Sequence, residues 1–164
     1  MRNEDAFNAY LSKKLNAFSP EIAKLKMAEK YHVGIPDFCL WKGGRSVVVE
    51  SKLIKSFGKP ASKASLLKHP FTGPQQTFLQ TMMRAGVPAF GLIGVDDIRD
   101  MLLLPANLIP PDGTWTAAGL ESVVFSGGHV FDFDDVAGLV DILFEYEVED
   151  GLCRRIGRSP LTPR

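Results

Sequence analysis

Apolar residues recur at helical spacing near the amino terminus, then switch to the alternation and short unbroken runs of strands, and later return to helical spacing. Phe7, Tyr10, Leu11, Leu15 and Phe18 follow one another at such intervals behind Asn3, which can cap a helix whose first turn carries Glu4 and Asp5. That helix should end near Ser19-Pro20. Residues 22–31 read two ways, because Ser19-Pro20-Glu21 is a helix start while Ala23, Leu25 and Met27 alternate with lysines as a strand would. Residues 37–41 and 46–50 flank Gly43-Gly44, a strong two-residue hairpin signal. Thr72-Gly73-Pro74-Gln75 has the form of a capping box opening a helix through Phe78, Leu79, Met82 and Met83 to Gly86. Residues 87–93 and 101–104 read as strands, 105–119 as a loop, 123–125 and 130–131 as short strands, and 134–146 as a helix with Val136, Leu139, Val140, Leu143 and Phe144 on one side. The sum is an α/β fold, a mixed sheet flanked by helices. A single domain is expected over 1–150, with a core at about 3–108, an extension over 109–150, and a disordered tail over 151–164 carrying Arg154, Arg155 and Arg158.

The diglycine turn gathers the chemistry. If Gly43 and Gly44 alone form the loop, Lys42 pairs with Arg45, and counting outward sets Asp37 opposite Glu50 with Cβ atoms about 5 Å apart. Lys52, two residues beyond Glu50, projects from the same face. Two like charges held that close destabilise a sheet unless something positive lies between them. The donors are hard oxygens without thiolate or imidazole, so the expected ion is Mg²⁺, with Mn²⁺ able to replace it. Such an ion binds a phosphate oxygen and acidifies a bound water, and Lys52 would position that water. A three-residue loop would break the alignment, and the plainer alternative is a solvated Glu50–Lys52 pair on an exposed strand face.

The chain of 164 residues has no net charge, but its charges are segregated. Residues 51–95 contain no acid, while Lys52, Lys55, Lys59, Lys63, Lys68 and Arg84 are positive; residues 96–150 hold thirteen acids against Arg99 alone. A basic segment that begins at the Glu50–Lys52 strand suits DNA phosphates, with Lys55, Lys59, Lys63, Lys68 and Arg84 as candidate contacts; a solvated loop is the alternative. Cys39 and Cys153 are too few for a disulfide framework or a four-ligand zinc site, and His32, His69 and His129 lack ligand spacing. No apolar run is long enough to span a membrane and no signal core is present, so the expectation is a soluble, cytoplasmic protein.

Gly34-Ile35-Pro36-Asp37 followed by Val47-Val48-Val49-Glu50-Ser51-Lys52 resembles the PD-(D/E)XK nuclease signature. Lys26-Met27-Ala28-Glu29-Lys30 before it, and Phe71-Thr72-Gly73-Pro74-Gln75, Leu79 and Ala85-Gly86 after it, narrow the resemblance to the Holliday junction resolvases, particularly phage-borne and RecU-like members. The likeness spans roughly residues 3–108. It implies a restriction-endonuclease-like αβββαβ core, a strand rather than a helix at 22–31, and a Mg²⁺-dependent endonuclease acting on branched DNA. It also implies that Gln75 lies near the metal-bound water or scissile phosphate and that Glu4 is a further metal ligand. Both residues have local explanations, Gln75 in the capping box and Glu4 in the helix dipole, and Glu21 competes with Glu4 for the ligand role. Symmetric cutting of a junction implies a homodimer. A general DNA-nicking or degrading nuclease, and a non-catalytic DNA-binding module of the same fold, are the alternatives.

Overall fold

The computed structural model describes residues 3–18, 21–26, 35–57, 62, 66–111 and 113–156. The boundary at Ser19-Pro20, any continuation of the first strand through 27–31, Gly34, Lys59, Lys63 and Arg158 lie outside the described residues. The chain runs through α1 (Glu4–Leu15), a 3₁₀ turn (Asn16–Phe18), β1 (Ala23–Lys26), β2 (Phe38–Lys42), β3 (Arg45–Ile54), β4 (Leu66–Lys68) and α2 (Gly73–Arg84). It continues through β5 (Ala89–Val95), β6 (Asp100–Pro105), a second 3₁₀ turn (Ala106–Leu108), β7 (Thr114–Thr116), α3 (Ala117–Ser126), β8 (His129–Asp132), α4 (Val136–Leu143), β9 (Tyr146–Glu149) and β10 (Leu152–Arg155). This is the expected helix, three strands, helix and strand, with further elements added.

Six strands form one mixed sheet in the order β1-β2-β3-β5-β6-β8. Among the described residues only β3 and β5 are parallel, and α2 lies in the connection between them, as parallel neighbours require. The two glycines of β5 show how the layers sit. A Cβ on Gly94 would meet the Phe7 ring of α1 at 2.7 Å, and one on Gly91 would meet the Phe71 ring, just before α2, at 2.4 Å. Residues three apart in a strand face opposite ways, so α1 covers one face and the Phe71–α2 segment the other. Leu139 and Leu143 of α4 join Leu11 and Leu15 of α1 over Phe38, Leu40, Val49 and Leu92, which places α4 beside α1. Phe7 is fully buried in that layer, and burial of such a side chain contributes about 2–3 kcal/mol.

Helix ends follow the sequence signals. Asn3 Oδ1 accepts from the Ala6 backbone N–H at 2.9 Å, with Glu4 and Asp5 in the first turn of α1 and Lys13 and Lys14 in the last. The Thr72–Gln75 capping box is present at the start of α2.

Beyond β6 three expectations give way. Val123 and Val124 lie in α3, not in a strand: Thr116 Oγ1 caps the helix by accepting from the Gly119 N–H at 2.9 Å, and Leu120, Val123 and Val124 pack at helical spacing on the core. Tertiary burial overrides the strand propensity of a short β-branched run. Residues 105–119 are not all loop, because β7 pairs with β4. Residues 152–155 form a strand, while 157–164 lie outside the described residues: β9 and β10 form a hairpin across Asp150 (φ +52) and Gly151 (φ +73), with Cys153 buried. Arg154 pairs with Glu149 at 2.9 Å and Arg155 with Glu145, so both arginines answer acids of their own chain.

Candidate active site

The hairpin register is the one the diglycine predicts. Lys42 pairs with Arg45 and Phe38 with Val49, and Gly43 and Gly44 take φ of +57° and +78°, the left-handed values that a two-residue type I′ turn needs. Pairing between β2 and β3 stops at Phe38 and Val49, while β3 continues along β5 to Ile54. The stretch from Glu50 to Lys52 therefore lies at an opening in the sheet, with β5 on one side.

Asp37 departs from the simple pairing rule. It lies just outside β2, so the pleat does not hold it, and its carboxylate turns to the open edge of β3. Oδ2 accepts from the Ser51 backbone N–H at 2.9 Å and from Ser51 Oγ at 2.8 Å, and Oδ1 accepts from Asn8 Nδ2 at 3.0 Å. Ser51 alternates with Glu50 and Lys52 and so belongs to the α1 face. Glu50 is anchored from the other face. Its Oε1 accepts from Lys52 Nζ at 2.9 Å and from Gln75 Nε2 of α2. The two carboxylates thus meet at the edge of β3 from two sides, not side by side on one face as strand counting alone implies.

Gln75 forms the capping box and also reaches Glu50. Its Oε1 accepts from the Thr72 backbone N–H at 2.9 Å and from Thr72 Oγ1 at 3.0 Å, which turns its Nε2 toward Glu50. The capping box orients the amide that holds the carboxylate. Gln75→Ala should therefore lower the stability of the metal-free chain by about 1–2 kcal/mol, measured by urea unfolding, because a cap and a charged hydrogen bond go together.

Lys52 Nζ bridges Glu50 and Glu4, at 2.9 Å and 2.8 Å. Burial works against its charge, but the bonds to Glu4 and Glu50 outweigh that and hold its pKa above the ordinary lysine value. Glu4 faces Lys52, and among the described residues no three of His, Cys, Asp and Glu are grouped as a ready set of metal ligands. Glu4, the expected third ligand, is paired with the lysine, whose ammonium lies between two carboxylates. Glu21 lies exposed beside β1.

Glu50 is 2% exposed, and among the described residues its Oε2 has no hydrogen-bond partner. Burial, and then the Asp37 charge, push its pKa up to about 7 against the opposing pull of Lys52. A buried carboxylate oxygen without a donor is costly, and a cation relieves that cost. Glu50 Oε2, Asp37 and access from solvent at half-buried Asp37 fit a hard divalent ion. The sign of the pH effect follows. The folded chain holds the Glu50 proton more tightly than the unfolded chain does, so metal-free stability should fall as pH rises from about 4.5 to about 7. Affinity for Mn²⁺ should rise over the same window and level off above it, which calorimetric titration at several pH values would measure.

Sequence reasoning missed Asn8 and Ser51. Both are buried polar residues, 4% and 0% exposed, and the available signal was the four-residue spacing of Glu4 and Asn8, which puts them on one side of α1. The candidate DNA contacts are dispersed. Lys55 is exposed just past β3 and Lys68 is exposed at the end of β4, whereas Arg84 closes α2, nine residues and roughly 13 Å along the helix from Gln75. Arg84 is thus carried away from Gln75 along the helix.

No family model and no curated protein matches the sequence. The structure of Archaeoglobus fulgidus Hjc, a Holliday junction resolvase from an archaeal hyperthermophile, superposes with a TM-score of 0.51, covering 79% of this chain and 99% of that one. The two chains share a fold. At 14% identity the likeness is one of architecture, a restriction-endonuclease-like mixed sheet with helices on both faces. Among the described residues no helix is long and apolar enough to cross a membrane.

Proposed function

We propose that the chain is a divalent-cation-dependent endonuclease that hydrolyses phosphodiester bonds in DNA, with branched DNA, and four-way junctions foremost, as its substrate. The observation that carries this reading is the convergence of Asp37, Glu50, Lys52 and Gln75 at the opening of the sheet, with one Glu50 oxygen buried and unpartnered. Asp37 and Glu50 would hold Mg²⁺, or Mn²⁺ in its place. The bound ion would supply Lewis acidity toward a phosphodiester oxygen and a more acidic water. Lys52 Nζ points into the same space and can orient a water or offset charge developing on the phosphate. Glu4 keeps that ammonium in place when DNA is absent, and Gln75 keeps Glu50 aimed. Lys55 and Lys68, with Lys59 and Lys63 of the same segment, would neutralise phosphates, and the reading extends to a homodimer because a junction presents two strands for symmetric cutting.

The test is cleavage of labelled four-way junction, flap and linear duplex DNA with Mg²⁺ or Mn²⁺, comparing the wild-type chain with Asp37→Ala. Cation-dependent cleavage that Asp37→Ala abolishes, fastest on the branched substrates, is expected. Equal rates on all three would leave a general nuclease, and binding without cleavage by the wild type would leave a DNA-binding module.

A further inference from the structure

Asp37, Asn8 and Ser51 close a ring of side chains that the proposed chemistry does not itself require. Asn8 projects from α1 into the sheet edge, where Nδ2 donates to Asp37 Oδ1 at 3.0 Å and Oδ1 faces Ser51 Oγ. Ser51 Oγ also lies 2.8 Å from Asp37 Oδ2, so its single proton has two acceptors, both inside the ring. The amide cannot be reversed without setting its carbonyl oxygen against a carboxylate. A buried asparagine in a helix interior is a poor choice for the helix, whose neighbouring buried positions are Phe7, Leu11 and Leu15. Its polar atoms are instead spent on one carboxylate.

Counting acceptor sites shows the consequence. A carboxylate oxygen accepts at about two positions. Oδ2 of Asp37 faces the Ser51 N–H and the Ser51 hydroxyl, whose proton it shares with Asn8 Oδ1, whereas Oδ1 has one site filled, by Asn8. The side chain is thus fixed by two unshared bonds and one shared proton, and its open site lies on Oδ1. Helix α1 also supplies Glu4, one turn before Asn8, to Lys52, so a single helix face braces both the acid and the base of the opening.

Resting on the reading of this site as a cation site, we propose that Asn8 is a positioning residue that, together with Ser51, fixes the Asp37 carboxylate so that Oδ1 alone is offered to the divalent ion. Removing the clamp frees Asp37 to rotate and to bind the ion less well, while the carboxylate itself is still present. Cation affinity, not the rate at saturating cation, is the quantity that should move.

The experiment uses the full chain and Mn²⁺ alone, without DNA, with free Mn²⁺ followed by electron paramagnetic resonance and thermal unfolding recorded with and without the ion. Asn8→Ala should weaken Mn²⁺ binding roughly 10- to 100-fold, the usual effect of losing a group that orients a metal ligand. Ser51→Ala, which keeps the backbone N–H, should weaken it by roughly severalfold. Cleavage by both variants should recover toward wild type at saturating Mn²⁺. A purely structural role would lower the unfolding temperature equally with and without the ion and leave the dissociation constant alone, and that result overturns the proposal. If Asn8→Ala does not fold, Ser51→Ala decides it in the same direction, because it removes one oxygen from the ring. A wild-type chain that binds no Mn²⁺, or an Asp37→Ala variant that binds it unchanged, overturns the cation site itself and this inference with it; a loss in Asp37→Ala with none in the other two overturns the clamp only.

Discussion

Glu50→Gln is expected to abolish cleavage while making the metal-free chain more stable. The two effects have one origin. Glu50 is an almost fully buried carboxylate with an oxygen that no described group satisfies, pushed up to about 7 by burial and by the neighbouring Asp37 charge. Holding it ionised above that pH costs the fold on the order of 3 kcal/mol at most relative to an ordinary glutamate. Glutamine has the same shape and no charge, its carbonyl can still accept from Lys52 and Gln75, and Lys52 keeps Glu4 at 2.8 Å. A net gain of about 1–2 kcal/mol at pH 8 is expected from urea unfolding without metal, because the lost ion pair offsets part of the relief. The gain should shrink toward zero well below pH 4.5, where the wild-type carboxyl is protonated in both states. Cleavage should fall roughly a thousandfold or more, since the proposed ligand would be lost and with it the charge stabilisation a bound ion would supply. Loss of activity together with loss of stability would mean that Glu50 is a structural residue.

Gly91→Val should be the most damaging single change in the sheet. Gly91 pairs with Glu50 in the parallel ladder, and a Cβ there would lie 2.4 Å from Phe71 Cζ and 2.8 Å from Ile109 Cδ1. Neither neighbour has free space, for both are buried. Overpacking of this kind costs about 3 kcal/mol, equivalent to a fall in unfolding temperature of roughly 6–12 °C for a domain of this size. The damage also reaches the opening of the sheet. Phe71 directly precedes Thr72, whose N–H orients Gln75, so displacement of the ring loosens the amide that holds Glu50. Truncating the ring in the double variant Gly91→Val with Phe71→Ala should return part of the lost stability relative to the sum of the two single changes. Strict additivity would show that Phe71 is not the obstacle.

The part of the fold around the diglycine was legible because local rules decide it. Gly43-Gly44 fixes the turn, the turn fixes the register, and the Thr72–Gln75 box fixes where α2 begins. Where the turn rule ran past the last ladder pair it misplaced a side chain. Asp37 stands outside β2, and its direction is set by Ser51 and Asn8, one of them 29 residues away in sequence. Nothing in the alternation of residues 37–41 encodes that contact. Val123 and Val124 misled for a related reason: their β-branched side chains favour a strand locally, whereas a threonine cap and packing against the core make them helical. The β9–β10 hairpin was encoded by Asp150-Gly151, the same kind of signal as Gly43-Gly44, but the arginines and prolines that follow it masked the signal.

The most direct measurement is anomalous diffraction from crystals of the wild-type chain soaked in Mn²⁺. A peak at the opening of the sheet, bonded to an Asp37 oxygen and to Glu50 Oε2 and absent from Glu50→Gln crystals, is the expected result. Well-ordered crystals with Asp37 still on Ser51 and Asn8, Lys52 still on Glu50, and no anomalous density between the two carboxylates would contradict it.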